Sequence, residues 1–148
     1  MPIARLAEPR DLPGLLALYL VLRPTDPTLS VADASAALER IVNEPNVRLV
    51  VCEQAESLAS TCMLAVIPNL ANGARPFGVI EHVVTLPEFR RLGLGRVVLQ
   101  FALDLAWDKD CYKVILLSGA QRTEAHELYE SVGFRGDVER GFVAKPLS

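Results

Sequence analysis

One stretch constrains the fold of this chain more than any other. Arg90-Arg91-Leu92-Gly93-Leu94-Gly95-Arg96 lies between an apolar run, Val79 to Thr85, and a helix-like run that follows it. An Arg-x-x-Gly-x-Gly loop between a strand and a helix suits a phosphate group. Glycine lets the backbone approach an anion with no side chain in the way. The helix that follows offers unpaired N–H groups and the positive end of its dipole. Two other phosphate loops do not fit. No Gly-x-x-x-x-Gly-Lys-Ser/Thr string occurs, and the third glycine of a dinucleotide fingerprint would fall on Val98.

An arginine three residues before the first glycine belongs to neither of those patterns. It resembles the acetyl-CoA loop of the GCN5-related N-acetyltransferases, which reads Gln/Arg-x-x-Gly-x-Gly/Ala. The resemblance extends over GVIEHVVTLPEFRRLGLGRVVLQFALDLAWDKDCYKVILLSG (Gly78 to Gly119) and AHELYESVGF (Ala125 to Phe134), over a third of the chain. It implies an α/β fold of α+β type, with a mixed central sheet flanked by about four helices. Two parallel strands in that family splay apart to admit the pantetheine arm. It also implies acetyl-CoA as cosubstrate, with no metal.

The same resemblance assigns roles to particular residues. The pyrophosphate rests on the N–H groups of Arg91, Leu92, Gly93, Leu94, Gly95 and Arg96, with Arg90 opening the pattern. Backbone groups of Val83, Val84 and Thr85 pair with the pantetheine amides, and one N–H polarises the thioester carbonyl. Tyr129 stands in a Tyr-Glu-x-x-Gly-Phe signature and protonates the departing CoA thiolate. Core packing is the other reading of Tyr129, since Ala125, Leu128 and Val132 share its helix face. Glu81 interrupts an apolar strand, which is costly without a purpose or a partner. It is a candidate base for the acceptor ammonium, with burial raising its pKa; a structural ion pair is the alternative. His82 is expected on the opposite side of the strand and reads as structural.

Near Gln121-Arg122-Thr123 the family often carries an asparagine, whereas this chain has none between Asn72 and its C-terminus. Thr123 and His126 remain cofactor-contact candidates, and Thr123 also fits a helix cap. The loop Pro68 to Pro76 is expected near the acceptor, with Arg75 facing an acceptor anion or solvent.

Composition narrows the remaining classes. A chain of 148 residues makes one domain, 1–148, and buries a core without staples. A formal charge of −3 without a basic tract speaks against nucleic acid. The longest apolar run, Leu15 to Leu22, is too short to span a membrane, and no export signal is visible. Cys52, Cys62 and Cys111 form no Cys-x-x-Cys and meet only two histidines, so no metal framework is expected. Free thiols of this kind fit the cytoplasm. They sit in or beside apolar strands, which disfavours a covalent cysteine mechanism. An apolar content of 51% is compatible with a homodimer, with no interface to name.

Periodicity supplies the element order. Strands are expected at Ile3–Leu6, Arg48–Glu53, Ser60–Ile67, Val79–Thr85 and Val114–Ser118, with one or two more in Asp137–Lys145. Helices are expected at Pro9–Leu22, Ser30–Val42, Gly93–Trp107 and Thr123–Val132. Taken together, these readings describe an acetyl-CoA-dependent N-acetyltransferase. A primary amine of a small molecule attacks the thioester directly in a ternary complex. The alternative is a CoA-binding sensor or interaction module that kept the fold and lost turnover.

Overall fold

The computed structural model describes residues 2–119 and 122–147. Its elements run β1 (Ala4–Leu6), α1 (Leu12–Leu22), α2 (Val31–Asn43), β2 (Val47–Gln54), β3 (Ser57–Ile67), a single turn α3 (Ala71–Ala74), β4 (Phe77–Thr85), α4 (Leu94–Asp108), β5 (Val114–Leu116) and α5 (Thr123–Ser131). The strands form one sheet in chain order. Neighbours are antiparallel from β1 to β4, and β5 joins β4 in parallel. The mixed sheet and its helices match the expected class.

Local chemistry accounts for most boundaries. Pro13 sits in the first turn of α1, where its missing N–H costs nothing. Ser30 Oγ accepts from Asp33 N–H at 3.1 Å and caps α2. Ala55 and Glu56 both adopt left-handed backbone, which suits a two-residue hairpin between β2 and β3.

Each face of the sheet carries its own core. α4 lies on one face, and its Leu94, Val98, Leu99, Ala102, Leu103 and Ala106 are buried there with Cys62, Leu64 and Ile80. Phe101 and Leu105 at the margin of that face are only partly buried. On the solvent side Gln100 donates to Asp104 at 3.0 Å. On the other face, α1 and α2 bury Leu15 and Leu38 against Leu49 and Val51.

Two expectations need correction. No strand occupies Asp137–Lys145; the described residues beyond α5 are irregular. Thr123 does not cap α5, whose N-cap position is Arg122 with no side-chain bond.

A partly buried ion pair ties β1 to the turn before α1. Both guanidinium nitrogens of Arg5 meet Asp11 at 2.8 Å, and Asp11 also accepts from Glu8 N–H at 2.8 Å. The Arg5 hydrogen bonds hold the Asp11 carboxyl below its ordinary value. A depressed carboxyl stabilises the fold above its unfolded pKa, and that contribution fades as pH falls through the folded pKa. Asp11→Asn is therefore expected to cost about 1.5–3 kcal/mol at neutral pH. Denaturant melts should show that gap narrowing below about pH 4.

Candidate active site

The site begins where the sheet comes apart. β4 pairs with β5 only through Gly78, Val79 and Ile80. From Glu81 to Thr85, β4 continues past the end of its pairing with β5 and, among the described residues, pairs only with β3. Backbone groups of Val83, Val84 and Thr85 that face this gap have no strand partner. Two parallel strands thus splay as expected.

A bulge shapes the gap. Thr61 pairs with Val84 and Met63 with Glu81, so Cys62 stands opposite both His82 and Val83. His82 takes φ +55°, a left-handed conformation uncommon outside glycine. Strict alternation would have put His82 on the side opposite Glu81. Instead its ring packs edge-on against Tyr19 of α1 at 6.0 Å, on the face that Glu81 and its partner Met63 share.

Glu81, His82 and Val83 all line a cleft of about 280 Å³ at the splay, with Leu22, Arg23, Ile80, Leu116, Leu117, Arg122 and Tyr129. The two candidate catalytic side chains therefore meet in one cavity. Glu81 is exposed, so the burial expected to tune it is absent. Tyr129 is buried at 7% exposure and stacks edge-on with Phe134 at 6.3 Å. Burial pushes its phenol pKa upward, which keeps the proton on oxygen at neutral pH. Ser118 Oγ is buried and by distance and angle makes no hydrogen bond, yet it lies close enough to Tyr129 to oppose part of that rise.

The loop has the geometry its sequence implied. Gly93 holds φ +80° and starts α4. The first helical bond runs from Val97 N–H to Gly93 O at 3.1 Å, so the N–H groups of Leu94, Gly95 and Arg96 have no intrahelical partner. Gly95 has a separate reason to be glycine. A Cβ there would lie 3.0 Å from Leu128 of α5, so its smallness lets α4 and α5 close together. Arg90 Nε donates to Thr85 O at 3.3 Å and fastens the loop to the end of β4. Thr85 Oγ1 is held by Ser60 Oγ at 2.8 Å. Arg91, Leu92 and Arg96 are exposed.

α5 brings its start to the same place, since Glu124 lies 3.9 Å from Arg91. Thr123 is exposed in that first turn. His126 Nε2 lies 2.9 Å from Gly119 O and holds the loop after β5. Gln121 lies outside the described residues. Sequence reasoning did not single out Arg23, Leu117 or Ser118, and Arg122 stood only in a segment of weakened resemblance. Nothing local marks them: they reach the site because α1 ends, and β5 ends, at the splay. Arg75 belongs elsewhere. It donates to Asp110 O and Cys111 O at 3.2 and 3.3 Å, beside the far end of β4, so the loop Pro68–Pro76 does not line the cleft. The three thiols are buried with pKa values raised by desolvation, Cys62 to about 12, as inert cysteines require.

Splayed strands, a glycine loop at a helix start and a buried phenol in the same cleft as an open carboxylate thus meet at one end of β4. The profile of the acetyltransferase (GNAT) family matches residues 15–134. The chain belongs to that family and is an acetyl-CoA-dependent N-acetyltransferase. It is similar to the glucosamine 6-phosphate N-acetyltransferase of Trypanosoma brucei brucei, at 33% identity over 132 residues, covering 88% of this chain and 87% of that one. A putative acetyltransferase from Agrobacterium tumefaciens str. C58 is 40% identical, superimposes with a TM-score of 0.91, and the match covers 97% of this chain and 99% of that one. The glucosamine-6-phosphate N-acetyltransferase of Arabidopsis thaliana shares the fold at 23% identity and a TM-score of 0.88, over 100% of this chain and 99% of that one.

Gly93 offers a direct check on the loop. A Cβ there meets nothing within 4 Å, so a substituent clashes with no protein atom and the constraint is the positive φ. Gly93→Val is expected to keep the domain folded at a cost of about 1–3 kcal/mol. Acetyl-CoA affinity should fall roughly 10- to 100-fold, equivalent to about 1.4–2.8 kcal/mol. Titration calorimetry giving unchanged affinity in a folded variant would remove the loop from the binding site.

Proposed function

We propose that this protein transfers an acetyl group to the primary amine of a small molecule by direct attack within a ternary complex. The observation that carries this reading is the cleft at the splay, which gathers Glu81 and Tyr129 at the unpaired half of β4. The residues present fit the cosubstrate. The unpaired stretch Val83–Thr85 suits an amide-bearing arm, and the open end of α4 behind Gly93 suits a pyrophosphate. Thr123, at the start of α5 beside the loop, and His126 are retained as neighbours of the arm.

Acetyl-CoA supplies an activated acetyl group. Glu81 takes a proton from the incoming ammonium, directly or through water, and leaves a nucleophilic amine. A backbone N–H from Val83–Thr85 stabilises charge on the carbonyl oxygen. Tyr129 keeps its proton until sulfur departs, then donates it. No covalent carrier is required, which agrees with three buried thiols. The same three thiols favour a cytoplasmic setting. We treat residues 1–148 as one catalytic domain.

Arg23 and Arg122 stand at the cleft beside Glu81. That charge suits an acceptor with an anionic group as well as an amine. Glucosamine 6-phosphate, named for the trypanosomal relative, is the first acceptor to try. Release of free CoA measured over a panel of amines, phosphorylated amino sugars included, tests the proposal. Turnover with a small amine supports it. Tight acetyl-CoA binding without CoA release for any amine returns the sensor reading.

A further inference from the structure

Among the described residues, one buried side-chain oxygen stands without a hydrogen-bond partner, and it is Ser118 Oγ. A hydroxyl left so costs free energy that an alanine would not. Such a group calls for a use. Its neighbour is the phenol of Tyr129. That ring borders two cavities, the 280 Å³ cleft that holds Glu81 and a groove of about 770 Å³ lined by β5, α5 and the segment after it. Ser118 borders the groove and not the cleft, so it meets Tyr129 from outside the reacting centre.

The two hydroxyls are carried by elements that are tied together beside them. β5 ends at Leu116, and Ser118 follows two residues on. The next residue, Gly119, offers its carbonyl oxygen to His126 Nε2 at 2.9 Å. His126 stands three residues before Tyr129 on α5, which puts both on one side of that helix. Burial raises the phenol pKa. Arg122 opposes that rise by charge and Ser118 by hydrogen bonding, while Cys62 and Glu81 add to it. Ser118 alone among these acts as a hydrogen-bonding side chain, so it alone can fix the direction of the phenol. In the resting structure its distance and angle fall short of a bond. A serine hydroxyl turns to suit its partner, and contacts of this kind tighten when substrate fills a site.

We propose that Ser118 is a positioning residue: its hydroxyl donates to the Tyr129 oxygen, aims the phenol proton at the departing sulfur and stabilises the phenolate that remains. The inference rests on Tyr129 as the acid. In that step the Tyr129 O–H bond breaks, an S–H bond forms, and the electron pair stays on oxygen. The Ser118 bond is then charge-assisted, which makes it stronger in the transition state than before it. The ammonium nitrogen sheds two protons to solvent, one through Glu81 and one as the amide forms. One proton returns to the phenolate, so each turnover releases one.

The test pairs Ser118→Ala with a readout that needs no acceptor. Fluorotyrosine is incorporated in place of the three tyrosines, and the Tyr129 signal in the fluorine NMR spectrum is assigned by its loss in Tyr129→Phe. Ser118→Ala should raise the apparent pKa of that signal by about one unit and lower kcat roughly 10- to 100-fold, the lower end being the tenfold that one unit represents. The KM for acetyl-CoA should hold, and the melting temperature should stay or rise, since an unpartnered hydroxyl is gone. In a Tyr129→Phe background Ser118→Ala should slow turnover no further. A Tyr129 signal that titrates at the same pH in Ser118→Ala overturns the proposal. Equal slowing in both backgrounds overturns it too, because Ser118 then acts on something other than the phenol. A Tyr129→Phe enzyme with full kcat removes the acid itself, and the proposal with it, even where the fluorine signal shifts.

Discussion

Tyr129→Phe is expected to lower kcat by roughly 10- to 1,000-fold, spanning the usual contribution of a positioned acid. The argument rests on what the substitution leaves in place. Tyr129 is buried against Phe134, and Phe fills the same space. Stability should fall by no more than about 1.5 kcal/mol, the size of one ordinary hydrogen bond. Acetyl-CoA affinity should change little, because the loop and β4 are untouched. What disappears is a proton that burial keeps on the phenol beyond its ordinary range. Steady-state kinetics with acetyl-CoA titrated at saturating amine separates the cases. A Phe variant with full kcat assigns Tyr129 to packing and leaves the thiolate to solvent.

The second large effect concerns Glu81, and its signature is a slope. A primary amine is protonated near neutral pH, and some group must take its proton before attack. With Glu81→Gln, only the fraction already neutral in solution reacts. The rate should then rise about tenfold per pH unit until the pH reaches the amine's own pKa. The native enzyme, with a base in the cleft, should be flatter over the same range. The loss should be on the order of 100-fold near pH 6 and should close as pH rises. Glu81 is exposed, so its replacement should barely move the melting temperature. Superimposable pH–rate profiles would make Glu81 an ordinary surface carboxylate and water the base.

Much of this was legible in the sequence, for physical reasons specific to each place. Pro13, Ser30 and Gly93 act locally, through φ, a cap or an open helix end, and local signals survive without tertiary context. Periodicity also supplied the order of the elements from β1 to α5, the single turn α3 excepted. What was not legible depends on partners distant in sequence. Glu81 reads as buried because its strand is apolar, yet it is exposed at the point where β4 runs past the end of its pairing with β5. Arg23 joins the cleft only because α1 ends there. Asp137–Lys145 alternates like a strand, but alternation states a need for a partner and does not supply one. Histidine takes left-handed backbone more readily than most residues, but that preference is too weak to have announced the bulge at His82.

That bulge acts like a frameshift written in backbone. Upstream of it, even-numbered residues of β4 such as Ile80 look toward α4. Downstream, the parity reverses: Val83 packs into the α4 core, and Thr85 reaches Gly95. The extra residue at position 82 thus lets one strand present Glu81 to the cleft and Thr85 to the glycine loop, two demands that regular alternation would have made incompatible. The information lies in the count of residues between Ile80 and Thr85 rather than in their identity. Substitutions at 82 keep that count, and only an insertion or deletion turns the strand's second half inside out.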